Sequence, residues 1–313
     1  MEKDWRIYGY RNQLIKEEKV RLWSKKFSQF SVSKFRRKYP SWSQFCVLHS
    51  IVDKLKKAFK THQTKQYKWR LNQLVQICKG LKEMETEICE AMHADLGRDM
   101  FWNYLAEVSF LETSAKHDAR HLKEWMAQTK EEIELALCPG AAYTKYEPLG
   151  VVAVFGSWNA PFVTTLKPVI QAITAGNCCI VKPSEHSAKS SAAIKKFCDT
   201  YLDPEFVITI EGGVDVAVAV NQLPLDLICF TGSTQVGKLI AQTAAKNLTP
   251  CILELGGKCP MIVDYNAQIE FTSSKAAFGK CFNSGQICIA PDYIFVHESK
   301  VKEFIEEVQV KFK

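Results

Sequence analysis

No stretch of about 18 apolar residues occurs in this sequence, which excludes a membrane-spanning helix. Glycine (15) and proline (11) are too scarce among 313 residues for a collagenous or low-complexity chain. None of the 12 cysteines pairs as Cys-x-x-Cys, which argues against a disulfide scaffold or a structural zinc site. Scattered cysteines point instead to a reducing, cytoplasmic compartment, with most of them serving as small buried hydrophobes. Glu2, Lys3 and Asp4 sit where the apolar core of a secretory signal would begin. There is no internal repeat and no Gly-x-Gly-x-x-Gly. Leu239 after Lys238 breaks the phosphate-loop pattern that Gly232 and Gly237 would otherwise begin.

What is present is an ordinary globular mixture, 47% hydrophobic and 24% charged, long enough for two domains. The charge is uneven. Residues 1–70 hold 19 Lys and Arg against 5 Asp and Glu, and the remainder holds 22 against 29. The net charge of +7 is thus a +14 segment on a body of −7, which argues against nucleic acid as the partner of the folded body. Residues 1–45 read as a basic extension suited to an anionic membrane surface. Its Ser, Lys and Arg content resembles a transit peptide, but Glu2, Asp4, Glu17 and Glu18 oppose that reading.

Hydrophobic periodicity predicts helices over 47–60, 66–94 and 101–128. Leu71, Leu74, Val75, Cys78, Leu81 and Ile88 form the buried stripe of the second, and Gly97 ends it. Leu105, Val108, Leu111, Leu122 and Trp125 form the buried stripe of the third. From Gly150 onward, short β-branched runs alternate with helical stretches. The strands are expected at 151–155, 178–181, 206–210 and 227–230, with helices at 164–175, 187–200, 214–221 and 235–247. That alternation predicts an α/β fold with a Rossmann-like parallel sheet, whose ligands bind at the carboxyl ends of the strands. Further elements are expected at 261–263, 269–278, 293–297 and 299–312.

Five short motifs fall at those strand ends. Lys182-Pro183-Ser184-Glu185 offers a cation and a carboxylate to vicinal hydroxyls, or is a charged turn with a serine cap. Thr231-Gly232-Ser233-Thr234 leads a strand into a helix whose N-terminus can face an anion, or is a plain tight turn. Glu254-Leu255-Gly256-Gly257-Lys258 suits a general base, or is a surface loop. Asn283-Ser284-Gly285-Gln286-Ile287-Cys288 bends the chain to present a thiol. Gly156-Ser157-Trp158-Asn159-Ala160-Pro161 places an amide that can stabilise an oxyanion, or that merely opens a turn. His117 and His121 have zinc-pair spacing, but no third ligand is apparent and no metal is expected.

Taken together and in order, these motifs and Glu147-Pro148-Leu149-Gly150 resemble the aldehyde dehydrogenase superfamily from Val47 to Lys313. The tail Ala290-Pro291-Asp292-Tyr293 points to its class 3 branch. The resemblance implies oxidation of an aldehyde to a carboxylic acid with NAD or NADP. It assigns Cys288 as nucleophile, Asn159 and the Cys288 amide as oxyanion donors, and Glu254 as the base for thioester hydrolysis. Lys182 and Glu185 would hold the adenosine ribose, Gly232 and Ser233 the pyrophosphate, Val236 the adenine, and Leu255 and Gly256 the nicotinamide. It also implies an NAD(P)-binding domain over 46–255 and the start of a catalytic domain over 256–313. Ser157 and Ala160 replace the Pro and the aromatic residue usual beside the oxyanion Asn. The family's Glu-x-Phe-Gly-Pro and Phe-Gly-Gly segments and its C-terminal pairing strand have no counterpart in these residues. The expectation is a truncated member, with the alternative of a catalytically silent chain that still binds cofactor. The segment that builds the family's homodimer is missing with them.

Overall fold

The computed structural model describes residues 42–311; nearly all of the basic arm lies outside them. Helix α1 (Trp42–Phe59) buries Leu48, Val52 and Leu55 against the central strands. The single helix expected over 66–94 is two, α2 (Tyr67–Glu83) and α3 (Glu85–Leu96). Met84, at φ −102° and ψ 11°, kinks the axis between them while both sides keep their hydrogen bonds across it. Met84, Ile88 and Cys89 are thereby buried, whereas Val75, assigned to the buried stripe, is exposed. Gly97, at φ 67°, closes α3.

The helix expected over 101–128 is also interrupted. Short α4 (Met100–Asn103) passes through a π-helical turn at Tyr104–Val108 into α5 (Ser109–Trp125). A π-turn inserts one residue and rotates the face that follows. Val108, Leu111 and Leu122 reach the core, but Leu105 (45% exposed) and Trp125 (43%) do not. Next comes an unexpected antiparallel pair, β1 (Thr129–Glu131) and β2 (Ala142–Thr144). Neither strand has a buried residue, so no hydrophobic alternation marked it.

The main sheet is the predicted α/β core. Its strands are β3 (Val151–Phe155), β4 (Cys178–Lys182), β5 (Val207–Thr209), β6 (Leu227–Gly232) and β7 (Cys251–Leu255). They are all parallel, in the order β5-β4-β3-β6-β7. Helices α6 (Pro161–Ala175), α7 (Ala188–Tyr201), α8 (Val214–Asn221) and α9 (Thr234–Ala244) make the crossovers. Every residue of β3 and β4 is buried, as a parallel sheet covered on both faces requires. The strand order switches between β3 and β6, so the connections leaving their paired carboxyl ends run in opposite directions along the sheet, the place where such sheets take a ligand.

Beyond β7 lies a smaller α/β unit. Its parallel strands β8 (Cys259–Val263) and β9 (Pro291–Val296) pack with α10 (Ile269–Cys281) and α11 (Val301–Lys311). A core of its own forms around Val263, Ile269, Ala276 and Phe304. No helix among the described residues is long and apolar enough to cross a membrane.

The segment leading into β3 is tied down by charge. The Glu147 carboxylate accepts from Lys65 Nζ at 2.5 Å and Lys145 Nζ at 3.1 Å. These bonds, that from Lys65 foremost, pull its carboxyl down to about 2. A carboxyl depressed on folding stabilises the fold fully above its unfolded value, and that contribution fades as the pH falls through the folded value. The Glu147 term is therefore complete above pH 4.5 and fades toward pH 2. A carboxyl-detected NMR titration is expected to place the Glu147 midpoint near 2, and Lys65→Met to move it back toward 4.5. An unshifted midpoint in the native chain would count against the double contact.

Candidate active site

The loop after β3 and the turn carrying Cys288 come from distant parts of the chain and are braced together. Ser157 Oγ donates to Asn159 Oδ1 at 2.6 Å, which sets the orientation of the Asn159 amide. Asn159 Nδ2 then donates to the Gln286 carbonyl at 2.8 Å. In return, Asn283 Nδ2 donates to the Asn159 carbonyl at 2.9 Å. Each asparagine thus holds the other's segment. One of the two Nδ2 protons of Asn159 is used in the brace, and the second has no acceptor among the described residues.

The turn itself is strained. Asn283 (φ 50°), Ser284 (φ 55°) and Gly285 (φ 74°) are consecutive left-handed residues. Glycine accepts that conformation freely; Asn and Ser each give up about 1 kcal/mol or more. The Ala290 amide closes a further turn onto Ile287 O at 3.1 Å, with Cys288 inside it and exposed. The Cys288 amide has no acceptor among the described residues.

This surface position matters because the cysteines divide sharply. All twelve are free, but only Cys89, Cys178, Cys179 and Cys198 are buried, so the expectation that most are core hydrophobes fails. Much of the cysteine content lies on the partly exposed strands β6 to β8 and in loops, where burial is incomplete. Burial pushes the Cys178 and Cys198 thiols up to about 12, which leaves them unreactive.

Pairing register brings two other motifs together. Thr231 and Gly232 at the end of β6 lie opposite Glu254 and Leu255 at the end of β7. Glu254 is exposed there. Ser233 caps α9 by accepting from the Val236 amide at 3.3 Å. The amides of Thr234 and Gln235 lack intrahelical acceptors and are free to meet an anion. Gly237 lets α9 settle on β7, since a Cβ there would lie 2.6 Å from Leu255 Cδ2. A Cβ at Gly256 would meet nothing within 4 Å, so the backbone after Leu255 is open.

At the end of β4, Lys182 is buried, and its Nζ donates to Pro183 O at 2.8 Å and to Glu185 Oε2 at 3.1 Å. Burial alone would raise the Glu185 carboxyl. Its own amide and the Lys182 charge outweigh that and hold it below the ordinary range. The pair therefore presents an ionised carboxylate at the strand end. These residues fit a dinucleotide: a charged pair for ribose hydroxyls, a free helix N-terminus for a pyrophosphate, and an open backbone beyond β7.

One group escaped the sequence reading. Glu107, in the π-turn and fully buried, pairs with Arg98. Its second oxygen accepts from the Phe162 and Val163 amides at 2.8 and 3.0 Å. These belong to the first turn of α6, directly after Asn159 and Ala160, where a carboxylate complements the helix dipole. Burial pushes the Glu107 carboxyl up, against the pull of Arg98 and the two amides. Nothing local marked Glu107, because Arg98 sits in the loop before α4 and the two amides belong to α6, more than fifty residues on.

The His117 and His121 ring centroids lie 4.5 Å apart with the rings tilted by 40°, and no group of three metal-ligating side chains occurs among the described residues. A cavity of about 570 Å³, walled in part by Arg70, Asp118, Trp125 and Glu147, is lined by none of the five strand-end motifs.

The model of the aldehyde dehydrogenase family matches residues 46–313. The chain is 40% identical over 247 residues to 4,4'-diaponeurosporen-aldehyde dehydrogenase of Staphylococcus aureus, covering 79% of this chain and 54% of that protein. It is 39% identical over 264 residues to aldehyde dehydrogenase family 3 member H1 of Arabidopsis thaliana, covering 84% and 54%. The solved structure of the substrate-bound state of Staphylococcus aureus AldH superposes with a TM-score of 0.81 at 38% identity, over 84% of this chain and 57% of that one. The chain spans about half the length of the curated relatives it matches.

Proposed function

The chain belongs to the aldehyde dehydrogenase family, and from that premise we propose that it oxidises an aldehyde to a carboxylic acid with NAD or NADP. The observation that carries the proposal is the brace between Asn159 and the Cys288 turn. It ties the Asn159 amide, with one proton still free, to a carbonyl two residues before the exposed Cys288.

In this reading the Cys288 thiolate adds to the carbonyl carbon. An aldehyde cannot release hydride until that carbon is tetrahedral, so covalent addition comes first. The oxyanion that forms is met by the second Asn159 Nδ2 proton and the Cys288 amide. Donors fixed before reaction stabilise it without reorganisation. Glu254 accepts a proton from the water that cleaves the resulting thioester. Lys182 and Glu185 would hold the adenosine ribose, and Gly232 and Ser233 the pyrophosphate at the α9 N-terminus. Val236 would flank the adenine, and Leu255 and Gly256 the nicotinamide. The dinucleotide, when bound, supplies the hydride acceptor.

The test is direct. The purified chain, given an aldehyde and NAD+ or NADP+, is expected to generate the absorbance of reduced nicotinamide. Cofactor binding is measured separately by thermal shift. Binding without turnover would refute the catalytic half of the proposal, and absence of both would refute the whole.

A further inference from the structure

The Cys288 turn has a second thiol against it. Cys259, at the start of β8, directs its Sγ at the Cys288 carbonyl oxygen, 3.1 Å away. Bond lengths on either side of that contact cap the separation of the two α-carbons at roughly 8 Å, close to the span a disulfide bridges. The remaining closure falls on the exposed segment after the Gln286 brace, where the one backbone bond around Cys288 is that from Ala290 N to Ile287 O. Cys281, the other exposed cysteine of this unit, shares no hydrogen bond with either residue among those described.

We propose that Cys259 is a resolving thiol for Cys288, and that the two form a reversible disulfide when a hydroperoxide reaches the site. The Cys288 thiolate attacks the peroxide, whose O–O bond breaks; sulfur is oxidised to a sulfenic acid, and the peroxide leaves as water or an alcohol. Cys259 sulfur then attacks the sulfenic sulfur. The S–S bond forms, the S–O bond breaks, and the departing hydroxide takes the Cys259 proton as water. Two thiols and one hydroperoxide become one disulfide. A small dithiol returns both thiols by exchange. Without a neighbour to trap it, a sulfenic acid proceeds to sulfinic acid, which thiols do not reverse. On the reading of Cys288 as nucleophile, the pair would silence the chain under oxidation and preserve it for recovery.

Hydrogen peroxide, followed by blocking of free thiols, digestion without reductant and mass spectrometry, tests the proposal. The expected result is the loss of two of the twelve thiols and a linked peptide pair containing Cys259 and Cys288, released by dithiothreitol. In Cys259→Ser, Cys288 is expected to accumulate as sulfinic acid that dithiothreitol does not restore; Cys281→Ser is expected to link normally. The proposal is overturned if no link forms, if Cys288 links to Cys281 instead, or if sulfinic acid accumulates equally with and without Cys259. None of these readouts needs turnover, so the pair and the catalytic reading can fail independently.

Discussion

Replacing Cys288 by alanine is expected to remove aldehyde-dependent reduction of NAD+ or NADP+ altogether. Deleting the nucleophile of a covalent enzyme costs roughly a million-fold in rate, because the remaining groups have no adduct to act on. The loss should be confined to chemistry. The Cys288 side chain is exposed and makes no hydrogen bond, so folding and cofactor binding should survive its truncation. Thermal unfolding and nicotinamide binding check this. Cys281→Ala, removing an equally exposed thiol from the same unit, is expected to leave turnover nearly unchanged. A Cys288→Ala chain with native turnover would end the assignment.

The second large effect is on the fold. Glu107→Ala is expected to destabilise the chain by about 3–5 kcal/mol, since breaking a buried ion pair leaves an uncompensated charge. Arg98 would be that charge, its side chain 6% exposed, and the Phe162 and Val163 amides would lose their acceptor as well. Against the roughly 5–15 kcal/mol that holds a typical domain together, this is a substantial share. Urea unfolding would measure it. Replacing the pair together, Arg98→Met with Glu107→Leu, is expected to recover much of the loss, because two charges are then removed from a dry site at once. A single-mutant loss below about 1 kcal/mol, the worth of an ordinary hydrogen bond, would show that the pair does not anchor α6.

These two residues also mark how far the sequence could be read. Cys288 was legible because Asn283, Ser284 and Gly285 before it announce a sharp bend, and because similar motifs stand in order at the other strand ends. The sheet was legible because β3 and β4 are unbroken apolar runs that only a doubly covered parallel strand tolerates. Glu107 was not, since a glutamate on a helix reads as solvated until the tertiary fold buries it. Leu105 and Trp125 were misplaced for a related reason: the π-turn around Glu107 shifts the helical face, and a regular period cannot express one added residue. The brace itself needs Gln286, whose contribution is a backbone carbonyl and therefore independent of its side chain.

The position of β3 has a consequence for the order in which the chain assembles. It is the first strand of its sheet to leave the ribosome, yet it ends in the middle. Its β4 edge can close early, through the local α6 crossover, with Val151 against Cys178. Its other edge stays open until Leu227 has been made and can pair with Val152. Non-local parallel pairing is slow, because a long loop must close before any contact rewards it. During synthesis the half-sheet β5-β4-β3 would therefore wait with its most apolar strand uncovered on one side, and β6 acts as the late-arriving seal.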